Sequence, residues 1–159
     1  MKTSILAMGH LTEKFFRDAC DEYVKRLSRT WPLSITEFDE ARLSASPSDG
    51  EIVKALAEEA RRLNAKISPR AYKIALCVEG VSLSSEELSA KMEDAASRGA
   101  SEIVFLIGSS FGLDESLKKE ADLRLSLSKM TLPHSLARVV LCEQIYRAAE
   151  IARGSRYHK

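Results

Sequence analysis

The chain has little cysteine, and spacing pairs none of it. Cys20, Cys77 and Cys142 are the three cysteines in 159 residues, widely separated and without a Cys-x-x-Cys. That argues against a disulfide framework or a zinc site and fits a reducing cytosol. Each is expected to be a small apolar packing residue. Long apolar runs are also missing: none approaches the ~18 residues of a membrane span. The opening Met1-Lys2-Thr3-Ser4-Ile5-Leu6 carries one positive charge and a very short apolar stretch, so it reads as a first strand and not as a signal peptide. An excess of charge of one sign is absent too. The formal net charge is +1, and bulk electrostatics select no partner. The common nucleotide and hydrolase signatures do not occur. Gly108-Ser109-Ser110-Phe111-Gly112 is not Gly-x-Gly-x-x-Gly, and there is no Gly-x-x-x-x-Gly-Lys-Ser/Thr, no Gly-x-Ser-x-Gly and no His-x-x-x-His. Any cofactor is therefore expected to be held by loop backbone and apolar contact, without a metal.

What is present is an alternation of apolar runs with helical patterns, in a composition of 45% hydrophobic and 30% charged residues typical of a globular domain. No internal repeat or linker interrupts it, so residues 1–159 read as one domain. Strands are expected at 3–8, 34–39, 72–78, 102–107 and 123–127. The run at 72–78 has the continuous apolar character of a strand buried on both faces. Helices are expected over 12–29, where Phe15, Phe16, Ala19, Tyr23, Val24 and Leu27 recur at three- and four-residue spacing, and from Ser48 to about 65. Others are expected from Ser84 to Gly99, in a short stretch capped by Asp114, and over 134–153. Ser48 with Glu51 and Ser84 with Glu87 have the spacing of capping boxes. The order βαβαβαβαβα with short links predicts an α/β domain with a mainly parallel sheet and helices on both faces.

In such sheets ligands bind beyond the carboxyl ends of strands. Three ends stand out: residues 76–80, 107–112 and 127–132. Glycines at 80, 108 and 112 allow sharp bends or close approach to a ligand, or serve only as turns. The segment from His134 to Lys159 carries five basic residues (Arg138, Arg147, Arg153, Arg156 and Lys159) against Glu143 and Glu150. It is either a solvated helix face or a phosphate-facing patch. His134, at the start of the last helix, is a capping, packing or functional histidine, with Arg138 one turn further on. Glu143, mid-helix among apolar neighbours, requires Arg138 or Arg147 as a partner if it is buried. The end, Arg156-Tyr157-His158-Lys159, is a frayed tail by default. It nonetheless joins a near-neutral titrating group to a ring that can stack on a base.

These residues together resemble one family. The segments are Met1-x-x-x-Ile5-Leu6-Ala7-x-Gly9, Phe105-x-Ile107-Gly108-x-x-x-Gly112-Leu113, Leu125-Ser126-x-Ser128-x-Met130-Thr131-Leu132-Pro133-His134, Arg138-Val139-x-Leu141-x-Glu143-Gln144-x-Tyr146-Arg147-Ala148 and Tyr157-His158-Lys159. They resemble the RlmH family of bacterial 23S rRNA pseudouridine-N3 methyltransferases, of the SPOUT class, along the whole chain. The resemblance implies a C-terminal deep trefoil knot, an exception to the rule that chains do not knot. It also implies a homodimer packed through the knot, and S-adenosylmethionine bound against Leu76, Gly108 and the loop Leu127, Ser128, Lys129, Met130, Thr131 and Leu132. The substrate it implies is a pseudouridine of the 23S rRNA interface stem-loop in assembled ribosomes, in the cytoplasm. Family members often carry a second glycine where this chain has Ser109.

The reaction so implied needs a proton removed from a ring nitrogen, and His158 is the first candidate base. Tyr157 is expected to stack on the target. Arg138, Arg156 and Lys159 are expected to hold phosphates, with Arg138 also a candidate for stabilising developing charge. A composite site, with cofactor on one subunit and tail from the other, is the expected arrangement. Three other readings compete: a non-catalytic ribosome-binding module with the same fold, a flavodoxin-like nucleotide or flavin binder, and a SPOUT enzyme acting on tRNA. The specific block at 125–134 argues against the flavodoxin-like reading, and the short chain without an added RNA-binding domain argues against the tRNA one.

Overall fold

The computed structural model describes residues 1–157 in full and His158 at its backbone. Five strands, β1 (Thr3–Met8), β2 (Leu33–Phe38), β3 (Ala71–Ser82), β4 (Glu102–Ile107) and β5 (Leu123–Ser126), form one sheet in the order β2-β1-β4-β3-β5. Every pairing is parallel. Between them run α1 (Lys14–Leu27), α2 (Asp49–Asn64), α3 (Ser85–Ser97) and α4 (Glu115–Glu120). The helix α5 (His134–Ala152) and a 3-10 turn, Arg156–His158, follow β5. The strand composition explains the layering. β1 from Ile5 and β4 from Ile103 are apolar runs, and both strands are buried along their whole length, so they take the centre.

Helices cover both faces, as expected. On one, Cys20 and Leu27 of α1, Leu88 and Met92 of α3, and Leu141 and Ile145 of α5 pack over Ile5, Ile74 and Phe105. On the other, Ala60 and Leu63 of α2 and Leu117 of α4 pack over Leu6, Val104 and Leu106. The cysteines are free. Cys20 and Cys142 are buried where α1 meets α5, the packing role expected of them, and contact with Cys20 together with burial pushes the Cys142 thiol strongly upward.

One local expectation holds and two change. Ser84 and Glu87 do form a reciprocal capping box, with Glu87 N–H donating to Ser84 Oγ at 3.1 Å and Ser84 N–H donating to Glu87 at 2.7 Å. At α2 only half of the box exists: Ser48 Oγ accepts from Glu51 N–H at 3.2 Å, while the Glu51 carboxylate accepts from Ser44. The strand at 72–78 is not buried throughout. Ile74 and Ala75 are buried, but Val78 is 82% exposed. The reason is that β3 runs on to Ser82 past a break in register, where Leu76 and Val81 both stand opposite Leu125. Gly80 permits this crossing, because a Cβ there would sit 2.6 Å from the Leu125 backbone.

Candidate functional site

A cavity of about 420 Å³ opens at the carboxyl ends of β3, β4 and β5. That size is ordinary for a small-molecule site. Its walls come from the three strand ends singled out above. Leu76, Gly108, Leu127, Ser128, Met130, Thr131 and Leu132 line it; Lys129 does not, and its side chain is exposed. The order of the wall is set locally. After β5, Ser126 Oγ donates to the Ser128 carbonyl at 3.0 Å, and Ser128 Oγ accepts from Met130 N–H at 3.0 Å. Serine side chains thus fold the loop back on itself. Opposite, the β4 end turns sharply, with Gly112 N–H donating to the Ser109 carbonyl at 2.8 Å. A Cβ on Gly108 would lie 2.3 Å from the Gly112 backbone, so this close approach requires glycine. Ser109 is buried at a negative φ, so its Cβ fits without strain.

Beyond the expected cofactor residues, the cavity gathers others from these strand ends and from α4 and α5, of which Lys118 and Ala137 carried no expected role. Phe111 is half-exposed in the wall. Lys118 of α4 donates to Glu79 at 2.7 Å and to Glu115 at 3.2 Å, and the lysine holds the Glu79 carboxyl below its ordinary range. Cys77 is in the wall, and burial pushes its thiol up, away from reactivity. His134 and Ala137, in the first turns of α5, complete the wall, so His134 faces the cavity and is not a packing residue. Only the order βαβ, which brings three strand ends together, could have signalled these neighbours. Among the described residues, no group of three or more His, Cys, Asp or Glu side chains is placed to hold a metal, and no helix is long and apolar enough to cross a membrane.

The remaining expected residues lie elsewhere. Arg138 is 2% exposed. Its Nη1 pairs with Glu37, and its Nη2 donates to the Gly9 carbonyl at 3.1 Å. The helical position that places Ala137 at the cavity turns Arg138 toward the ends of β1 and β2 instead, so it presents no guanidinium to a phosphate or a base. Tyr157 docks on the half-buried face of α5. Its hydroxyl donates to Glu143 at 3.4 Å, its ring meets Tyr146 edge-on at 4.8 Å, and the Arg147 guanidinium stands 4.9 Å from its centre. Arg147 also holds Glu143 at 2.6 Å, so Arg147 and not Arg138 is the partner that Glu143 requires. Arg156 is exposed beside this cluster. The His158 side chain and Lys159 lie outside the described residues. With a rise of ~1.5 Å per residue, Glu143 is roughly 13 Å along α5 from His134, so the structure does not bring Tyr157 to the cavity of its own chain.

The large exposed apolar side chains share one end of the molecule. Among the described residues these are Phe15, Val53, Val78, Val81, Phe111, Met130 and Leu136. Val78 and Val81 lie in the second half of β3, Phe111 and Met130 follow β4 and β5, and Phe15, Val53 and Leu136 sit in the first turns of helices; of these, Val78, Phe111 and Met130 line the cavity.

A parallel α/β sheet with a backbone-lined cavity at its carboxyl edge defines a small-molecule-binding enzyme scaffold. Comparison with known proteins specifies it. The family described as "Predicted SPOUT methyltransferase" matches residues 1–158, and the chain belongs to this family; it is a methyltransferase. Over 159 residues, all of both chains, it is 45% identical to the ribosomal RNA large subunit methyltransferase H of Bifidobacterium adolescentis. Over the same full length it is 45% identical to the protein of that name from Ruminiclostridium cellulolyticum, and 43% identical to that from Streptococcus equi subsp. zooepidemicus.

Proposed function

We propose that this enzyme methylates large-subunit ribosomal RNA, at N3 of a pseudouridine in the 23S rRNA interface stem-loop of the assembled ribosome. It uses S-adenosylmethionine and acts as a cytoplasmic homodimer whose C-terminal segment threads a trefoil knot. The observation that carries this reading is the coincidence of the cavity wall with residues 76, 108, 127, 128 and 130–132 in a chain that matches the family along its length.

The residues present fit the cofactor. A Cβ would fill the cradle at Gly108, and Leu76, Leu127 and Leu132 offer apolar surface for an adenine ring. The serine bonds fix the shape of the loop that forms this wall. When bound, S-adenosylmethionine supplies a methyl group already activated on a sulfonium. The protein's part is therefore alignment of donor and acceptor and exclusion of water.

His158 takes the proton from N3 of the target, and Tyr157 stacks on the base. Arg156 and Lys159 hold phosphates. Because Tyr157 docks along α5 away from its own cavity, the tail serves the cavity of a second copy. The cluster of Glu143, Arg147 and Tyr157 sets the direction from which the tail leaves. Arg138 supports the site from inside the molecule. Net charge near zero suits docking onto a shaped ribosomal surface better than capture of free strands, where phosphate neutralisation dominates affinity.

Titration calorimetry of the purified protein with S-adenosylmethionine tests the reading. Saturable binding that Gly108→Ala abolishes is expected; absence of binding to the wild-type protein sinks it.

A further inference from the structure

Leu33, Ile35 and Glu37 fall on the same face of β2. Leu33 and Ile35 pack into the core beneath α1 and α5, and the row ends in a carboxylate. Three groups converge on that carboxylate. Arg138 Nη1 donates from α5, and Leu11 N–H donates from the β1–α1 turn at 3.1 Å. His10 Nδ1 lies 3.0 Å away, and the other ring nitrogen of His10 is 2.7 Å from Asp39. Arg138 ties the same turn a second time through the Gly9 carbonyl. One carboxylate thus joins the carboxyl ends of β1 and β2 to the second turn of α5, a contact spanning 101 residues of sequence.

That turn of α5 matters to the cavity. His134 and Ala137 form part of its wall, and the 127–132 loop runs directly into the helix. The start of α5 has little local support. Pro133 stands at its N-cap with no side-chain cap bond, and no acidic residue occupies the first turn. A nearly buried ion pair adds little net stability compared with apolar packing but fixes one geometry.

We propose that Glu37, acting through Arg138, is a positioning residue of this methyltransferase: it fixes the register of α5 against β1 and β2 and so holds the 127–137 wall in its cofactor-ready shape. Its effect on cofactor binding rests on the reading of the cavity given above. Its effect on the order of the wall does not.

Hydrogen exchange by mass spectrometry on the cofactor-free protein, with Glu37→Gln and Arg138→Lys, tests this. Either variant is expected to lower protection in peptides covering 127–140 by on the order of tenfold, with β1 and β4 unchanged. In methylation assays KM for S-adenosylmethionine should rise by on the order of tenfold, with kcat altered no more than about threefold, since the pair touches no reacting atom. Asp39→Ala, which removes a His10 contact but leaves the Arg138 pair, should match the wild type in both readouts. Unchanged exchange at 127–140 in the two pair variants overturns the proposal. So does a uniform loss of protection, or failure of both to fold, because the pair then holds the fold and not the wall. If the exchange pattern is as expected but wild-type protein binds no S-adenosylmethionine, the cofactor reading fails while the positioning role stands.

Discussion

Gly108 shows how one residue type decides the site. The β4 end and the turn that follows it approach more closely than any side chain allows. Gly108→Ala must push that turn outward, at a cost of about 1–3 kcal/mol. Differential scanning calorimetry should show a melting temperature lower by several degrees, together with lost cofactor binding. His10 gives a pH signature. Hydrogen bonds to Asp39 and then Glu37 raise its pKa above the ordinary value near 6.5. A raised histidine stabilises the fold fully below its unfolded pKa, and that contribution disappears as pH rises through the folded value. Stability should therefore decline from about pH 6.5 upward, and His10→Gln should flatten that part of the profile in urea titrations. At this scale the sequence was legible where chemistry is carried by backbone. The glycines of the strand ends pointed to the cavity. Charged residues were less legible, because helical spacing shows which residues share a face but not what the face meets. Arg138 looked like a phosphate ligand and turned out to answer Glu37, a residue 101 positions away that no local pattern marks.

Among the elements, α5 does the most varied work. Residues 138, 141, 142, 145, 148 and 149 are buried, and its first turns close the cavity. Its half-buried side carries Glu143, Tyr146 and Arg147, on which Tyr157 docks. Cofactor wall and tail platform are thus separate parts of one helix, and their losses should be separable. Deleting residues 158–159 should leave the melting temperature and S-adenosylmethionine affinity unchanged while lowering rRNA methylation by on the order of a hundredfold or more. Parallel loss of affinity would place the tail in its own chain's cavity. The elements themselves were read correctly in kind and order, since β1 and β4 are continuous apolar runs and Ser84 caps α3 by local chemistry. The second half of β3 was missed. Glu79 and Gly80 resemble the end of a strand, and the strand continues only because β5 accepts Val81 after a break in register.

At the scale of the molecule, five parallel strands place every helix-initiating loop on one edge, and the exposed apolar side chains collect there. The proposed homodimer would bury part of that edge against a second copy and bring one chain's tail to the other's cavity. Sedimentation equilibrium at micromolar concentration should accordingly give twice the monomer mass, and Met130→Asp together with Leu136→Asp should give the monomer. The sequence could show that the sheet is parallel but not which of its surfaces meets a partner, because a surface contact leaves no period in one chain. The most direct test of the whole account is incubation of the enzyme and methyl-labelled S-adenosylmethionine with ribosomes lacking the modification, followed by mapping of the label by mass spectrometry. The account predicts one labelled nucleotide, an N3-methylated pseudouridine in 23S rRNA, with none on tRNA. Label on tRNA, or no label on ribosomes that the enzyme demonstrably binds, would contradict it.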